Sequence, residues 1–138
     1  MKRLQIYLAE AGACSRRAGE KLILEGRVKV NGEVVDILGT KVDPQKDIVE
    51  LDNERLSIED KHIYLFHKPS DLLTTLSDPQ GRPCIAEYVD KLPVRTFPVG
   101  RLDRDVTGLL ILTNDGAYAD QLLHPRYEVS RVYWALVR

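Results

Sequence analysis

At 138 residues the chain has room for one ordinary domain, or for a small module joined to part of a larger one. Hydrophobic side chains make up 43% of it, enough for a packed core, and a net charge of -1 gives no global basic excess of the kind that announces a nucleic-acid binder. Cys14 and Cys84 are far apart and lack metal-ligand spacing, so both read as free thiols of a reducing compartment rather than as a disulfide. Lys2, Arg3 and Gln5 interrupt any apolar start, which argues against a signal peptide. No apolar run approaches the roughly 20 residues of a membrane helix. The expectation is a soluble, cytoplasmic protein.

Charge is unevenly spread. Residues 1–35 hold seven basic side chains (Lys2, Arg3, Arg16, Arg17, Lys21, Arg27, Lys29) against four acidic ones, a local excess of +3. Leu4, Tyr7, Leu8 and Ala11 follow helical spacing, and Gly12 is a natural stop. Ser15 is placed to cap a second helix with Ala18, Leu22 and Ile23 on its buried face, ended by Gly26 in the left-handed conformation. Apolar and polar residues then alternate on both sides of Asn31-Gly32, the strongest short hairpin signal. Val28 and Val30 point one way, and Arg27, Lys29 and Asn31 the other. A helix start carrying Arg16, Arg17 and Lys21 suits phosphate; a solvated helix face is the alternative. Arg3-Leu4, Ser15-Arg16-Arg17, Leu22-Ile23, Gly26-Arg27-Val28 and Val30-Asn31-Gly32 together resemble the small RNA-binding module of ribosomal protein S-four and of several RNA-modifying enzymes. The resemblance covers residues 2–48. It implies RNA contact through Arg3, Arg16, Arg17, Lys21 and the hairpin face of Arg27, Lys29 and Asn31, with shape and phosphate read more than sequence.

A short strand is expected at Ile48–Leu51, followed by a polar stretch over 52–62, and the domain boundary falls near residue 60. Ile63–His67 reads as a strand stopped by Lys68-Pro69, and Leu72–Leu76 as another, leading into the turn Asp78-Pro79-Gln80-Gly81-Arg82-Pro83. Ile85, Tyr88, Val89 and Leu92 have helical spacing ended by Pro93. Further on, 117–123 suggests a helix and 128–137 a final strand. Strands and helices alternate, so this half is mixed α/β. His62, His67 and His124 have neither zincin nor deaminase spacing and read as structural or surface groups. Lys68 either contacts phosphate or is merely solvated.

The densest chemistry lies in Gly100-Arg101-Leu102-Asp103-Arg104-Asp105-Val106-Thr107-Gly108 and the apolar run Leu109–Leu112. The unbroken run reads as a fully buried strand starting near Gly108, with Asp103 on the loop that feeds it. A carboxylate held there is well placed for chemistry, and flanking arginines favour its ionised form. An ionised, positioned carboxylate is a possible nucleophile. The alternative is that Asp103 and Asp105 are loop acids in surface salt bridges, which contribute little.

Taken in order, His67-Lys68-Pro69, the Asp78–Pro83 turn, Gly100-Arg101-Leu102-Asp103, Gly108 to Gly116, and His124-Pro125-Arg126-Tyr127-Glu128-Val129 with Arg131 and Tyr133 resemble the RsuA/RluB family of ribosomal RNA pseudouridine synthases. The resemblance implies an α+β chain: a helix-helix-hairpin RNA-binding module at 1–60, then at 61–138 the amino-terminal part of a mixed α/β catalytic domain with a mainly antiparallel sheet. It implies isomerisation of a specific uridine in ribosomal RNA, large-subunit RNA favoured by the Asp78–Pro83 turn. Asp103 would be the nucleophile, attacking either sugar or ring. Tyr133 would stack on the base and assist proton removal, and Lys68, Arg82, Arg101 and Arg104 would contact RNA. No metal or redox cofactor is needed for such chemistry. Val106-Thr107, Cys84 and Arg131 depart from the family's usual Thr or Ser followed by Glu, Thr, and Lys. The family's catalytic domain extends beyond the position of Arg138 and supplies there a basic partner for the aspartate. The expectation is therefore a truncated catalytic domain with an open sheet edge, prone to dimerise or exchange strands. The competing expectation is a catalytically inactive RNA-binding relative or fragment.

Overall fold

A computed structural model describes residues 1–138, which form two compact units, Met1–Asp60 and Lys61–Arg138. In the first, β1 (Lys2–Arg3) leads directly into α1 (Leu4–Glu10), which packs on α2 (Arg16–Leu24). The Ser15 hydroxyl caps α2 by accepting from the Ala18 amide, satisfying one of the free amides of a helix start. Gly26, at φ +71°, turns the chain out of the helix. The inner face of α2 is Gly19 and Ile23, with Leu22 half-buried. Ala18 is exposed, one step off the expected stripe.

The hairpin forms as its sequence dictates. β2 (Val28–Val30) and β3 (Glu33–Val34) flank Asn31 and Gly32, both at positive φ, which matches the twist of the strands. Two further strands join this sheet, β5 (Val49–Leu51) and β6 (Glu54–Arg55), while β4 (Lys41–Val42) pairs with β1. The sheet order is β3-β2-β5-β6, antiparallel throughout. The polar stretch after Leu51 is thus not a bare linker. Asp52 and Asn53, both at positive φ, make a second tight turn, and Leu56 and Ile58 pack on the core of Leu4, Tyr7, Leu8, Ile23, Val28, Val42 and Val49.

The second unit is built on three antiparallel strands in the order β7-β9-β8: β7 (Ile63–Lys68), β8 (Phe97–Val99) and β9 (Gly108–Thr113). Between β7 and β8 lies the short helix α3 (Ala86–Val89). After β9 comes α4 (Gly116–Leu123), capped by the Asp115 carboxylate, which accepts from the amides of Ala117 and Tyr118. Tyr64, Phe66, Leu110 and Leu112 face a core that includes Leu72, Ile85 and Val89. The expectation of a fully buried β9 is corrected: Leu110 and Leu112 are buried, but Leu109 is 64% exposed. The sheet covers one face only, so side chains alternate in and out. The apolar run Leu109–Leu112 conceals that alternation because its outward positions are apolar too.

Two expected strands are absent. Residues 72–76 make a single bridge, Leu73 with Cys84, closed by the Leu73 amide on Pro83 O and the Ile85 amide on Leu73 O; it extends no further because the Leu72 amide turns to Arg104 O and the Thr75 amide folds back on Leu73 O. Residues 128–137 are irregular and exposed, following a 3-10 turn at Pro125–Tyr127. A strand exists only against a partner ladder, and β-favouring side chains alone do not supply one. β8 was not among the expected strands; its Pro98 is tolerated because this is an outer strand of the sheet.

Candidate active site

The loop between β8 and β9 is held at three backbone points. The Thr74 hydroxyl donates to Leu102 O at 2.7 Å and accepts from the Leu102 amide at 3.2 Å. Arg104 O accepts from the Lys68 ammonium at 3.1 Å and from the Leu72 amide at 3.3 Å. Asp105 O accepts from the Ser70 hydroxyl at 3.4 Å. The loop closes on itself where the Val106 amide bonds Asp103 O. Segment 68–74 therefore acts as a cradle for 102–105.

Above this cradle, Leu73, Thr74, Thr75, Ser77, Asp78, Arg82, Arg101, Leu102, Asp103 and Arg104 line one cavity of about 320 Å³. That is at the lower end of the size of small-ligand clefts, roughly 300 Å³ and upward. Asp103 is exposed on its wall, and its carboxylate has no hydrogen-bonded or ion-paired partner in the chain. Arg104 pairs instead with Asp71 at 3.7 Å. Arg82 clasps Asp78 through Nε and a terminal guanidinium nitrogen. That hydrogen-bonded guanidinium, with the Arg82 amide, holds the Asp78 carboxyl below the usual carboxylate range, and Asp78 in turn raises the Arg82 guanidinium. An unpartnered carboxylate thus shares the cavity wall with three arginines, two of them already paired with Asp78 and Asp71.

The structure thus brings together Asp103, Arg82, Arg101 and Arg104 from the sequence expectation. It does not bring Lys68 to the surface, and that expectation is corrected. Lys68 is 0% exposed at the end of β7, its ammonium donating to Pro69 O and Arg104 O. Alternation along β7 turns it to the covered face, where RNA has no access. Nor does the structure place Tyr133 on the cavity wall. It is 66% exposed in the irregular segment after Tyr127, which Arg131 tethers to the end of α4 through Leu122 O. Thr74 and Ser70 are not among the expected site residues; for Thr74 the available signal was the pair Thr74-Thr75 breaking the apolar run Leu72–Leu76, and for Ser70 there was none.

In the first unit, Arg3, Arg16 and Arg17 are exposed, the latter two opening α2, and Lys21 makes only a loose contact with Glu25 at 3.8 Å. The hairpin face is less free than its sequence suggests. Arg27 makes two bonds to Asp52, Lys29 bonds Asn53, and Asn31 bonds Asp47 and the Ile48 amide. The Arg27 guanidinium holds the Asp52 carboxyl low and is itself raised. The cause is the register of β2 against β5, which sets Val28 opposite Leu51 and so brings the Asp52-Asn53 turn beside Arg27 and within reach of Lys29.

The carboxylate-bearing cavity and the capped helix pair define two separable classes of module, and comparison with known proteins places both. Residues 62–138 match the RNA pseudouridylate synthase family model, and residues 2–48 match the S4 domain model. The chain belongs to the RNA pseudouridylate synthase family and carries an S4 domain. It is 54% identical to an uncharacterized RNA pseudouridine synthase of Aquifex aeolicus, over 98% of this chain and 55% of that protein. It is 44% identical to ribosomal large subunit pseudouridine synthase B of Bacillus subtilis, over 100% of this chain and 56% of that protein. For the enzyme of the same name from Pseudomonas aeruginosa the identity is 41%, over 99% of this chain and 36% of that protein. The chain spans about half the length of the first two of these relatives. No helix is long and apolar enough to cross a membrane.

Proposed function

We propose that the protein isomerises a uridine of ribosomal RNA, large-subunit RNA in preference, to pseudouridine, with Asp103 as the nucleophile and 1–60 as the RNA-binding module. The observation that carries this reading is the unpartnered Asp103 carboxylate on an arginine-lined cavity in a chain of this family. The reaction breaks the bond between uracil and ribose, turns the base and rejoins it through carbon. A carboxylate that adds covalently and then departs splits that exchange into two easier steps. The target uridine leaves its stack to reach Asp103. Arg101 and Arg104 hold flanking phosphates, and Arg82 is a third cation on the same wall. Tyr133 is the stacking partner of the base, which requires residues 128–138 to lie against the cavity in the RNA complex.

Release of tritium from uridine-labelled ribosomal RNA tests the reading. Asp103→Asn abolishes release, and unchanged release in that variant overturns the nucleophile assignment. In the RNA-binding module, the double substitution Arg16→Ala with Arg17→Ala weakens gel-shift affinity and flattens its salt dependence. We propose a cytoplasmic location, and pairing between copies through the outer edge of β7.

A second reading, an RNA-binding chain without chemistry, is favoured by two observations: no basic side chain is ion-paired with Asp103, and Tyr133 lies off the cavity. RNA retention with no tritium release from the unsubstituted chain would favour it.

A further inference from the structure

We infer that Thr74 is a positioning residue for Asp103, acting through the peptide of Leu102; this rests on the reading of Asp103 as nucleophile. Thr74 is 7% exposed and its hydroxyl makes two bonds to one residue, donating to Leu102 O and accepting from the Leu102 amide. Leu102 immediately precedes Asp103, so both polar groups of the preceding residue's backbone are fixed by a single side chain. The hydroxyl is the one protein group that bonds them across the cavity floor, and no strand ladder reaches this point: β8 ends at Val99 and β9 begins at Gly108.

Thr74 is itself anchored. The Leu73 amide bonds Pro83 O and the Ile85 amide bonds Leu73 O, setting segment 72–74 against the start of α3. One residue on, the Thr75 hydroxyl bonds Ser77 O and leads into the Asp78–Arg82 clasp. Thr74 thus joins the rigid floor carrying the arginine clasp to the loop carrying the carboxylate. A hydroxyl suits this place because it is both donor and acceptor. Valine has nearly the same shape and neither function, leaving the Leu102 amide and carbonyl unsatisfied. The loop then loses one of its three pins, and a displacement of about 1 Å at the reacting atom costs on the order of 100-fold in rate.

Three variants decide the matter: Thr74→Val, Thr74→Ser and Asp103→Asn. Amide hydrogen exchange needs no turnover. Thr74→Val is expected to speed exchange at least about tenfold at the Leu102 amide, which the hydroxyl holds, while β7 and β9 keep their protection, and Thr74→Ser to restore it. In tritium release from ribosomal RNA, Thr74→Val is expected to lower kcat by about 10- to 100-fold with KM within about twofold, Thr74→Ser again restoring it. Unchanged exchange at Leu102 in Thr74→Val overturns the inference, as does loss of protection spread evenly over the second unit, which would mark an ordinary core residue. Full turnover in Thr74→Val beside an inactive Asp103→Asn overturns positioning alone. Full turnover in Asp103→Asn overturns the nucleophile reading instead, so the two failures are distinct.

Discussion

Buried and exposed basic side chains divide the work of the second unit in a way residue type alone does not reveal. Lys68 and Arg82 are both cations of the segment before the Asp103 loop, yet one holds backbone inside the fold and the other lies on the cavity wall. Lys68→Met removes the donor to Pro69 O and Arg104 O at nearly constant volume. It is expected to cost about 1–3 kcal/mol of stability, since it leaves Pro69 O without its donor and Arg104 O with the Leu72 amide alone, with RNA affinity unchanged by gel shift. Weakened affinity at unchanged melting temperature would show Lys68 meeting RNA after all. Asp78 responds to acid. Its carboxyl is held below the usual range by Arg82, so the clasp's contribution is complete at and above that range and is lost as pH falls through the native value. Carbon-13 titration is expected to show Asp78 protonating at lower pH than an ordinary aspartate. In Arg82→Gln the titration returns to the usual range. The placement of Asp103 on an exposed loop feeding β9 was legible in sequence, because a glycine and an apolar run follow it. Thr74 was not, because a threonine in an apolar segment reads as strand until its oxygen is located.

Elements that carry their own punctuation were legible, and those that depend on a partner were not. Ser15, Gly26 and Asn31-Gly32 fix α2 and the first hairpin locally, through a cap and positive φ values. The expected strand at 128–137 failed because nothing in its own residues supplies a ladder. β8 went unseen because its proline hides a strand that only β9 stabilises. The periodicity of β9 was misread for a different reason: its outward residues are apolar. Leu110→Ala, deleting an inward side chain, is expected to cost roughly 2–5 kcal/mol. Leu109→Ser, on the outward face, is expected to lie within about 0.5 kcal/mol. Urea denaturation of the two variants decides whether the strand has one covered face or two. At the helix level, Ser15→Ala is expected to cost about 1 kcal/mol through loss of the α2 cap, and Ser15→Asp to preserve most of it.

At the scale of the whole chain, the two units differ in where their exposed apolar residues lie: those of the first, such as Leu24, Val34 and Ile37, fall at a helix end, on the hairpin and in a loop, while several of the second share one sheet face. The first wraps a core of seven buried residues with two helices and a four-stranded sheet. The second leaves Ile63, Leu65 and Leu109 exposed on the outward side of β7 and β9, and Val132, Trp134, Leu136 and Val137 exposed beyond. Leu65 opposes Ile111 and Leu109 opposes His67 across the ladder, so Leu65, Ile111 and Leu109 adjoin on the outward side rather than standing as scattered single positions. A contiguous apolar surface is unfavourable in water, and β7 is an outer strand with no proline or bulge along its six residues to discourage pairing. β8, the other outer strand, carries Pro98 and is the poorer template. The proposed self-association therefore runs through β7. Light scattering on the 138-residue chain is expected to give a mass above that of the monomer, falling with dilution. Leu65→Lys with Leu109→Lys places two like charges on the outward face while leaving Leu110 and Leu112 in the core, and is expected to shift the chain to monomer without loss of cooperative unfolding. A monomer at every concentration in the unsubstituted chain would refute pairing through β7 and leave the exposed face as a tolerated feature of a single molecule.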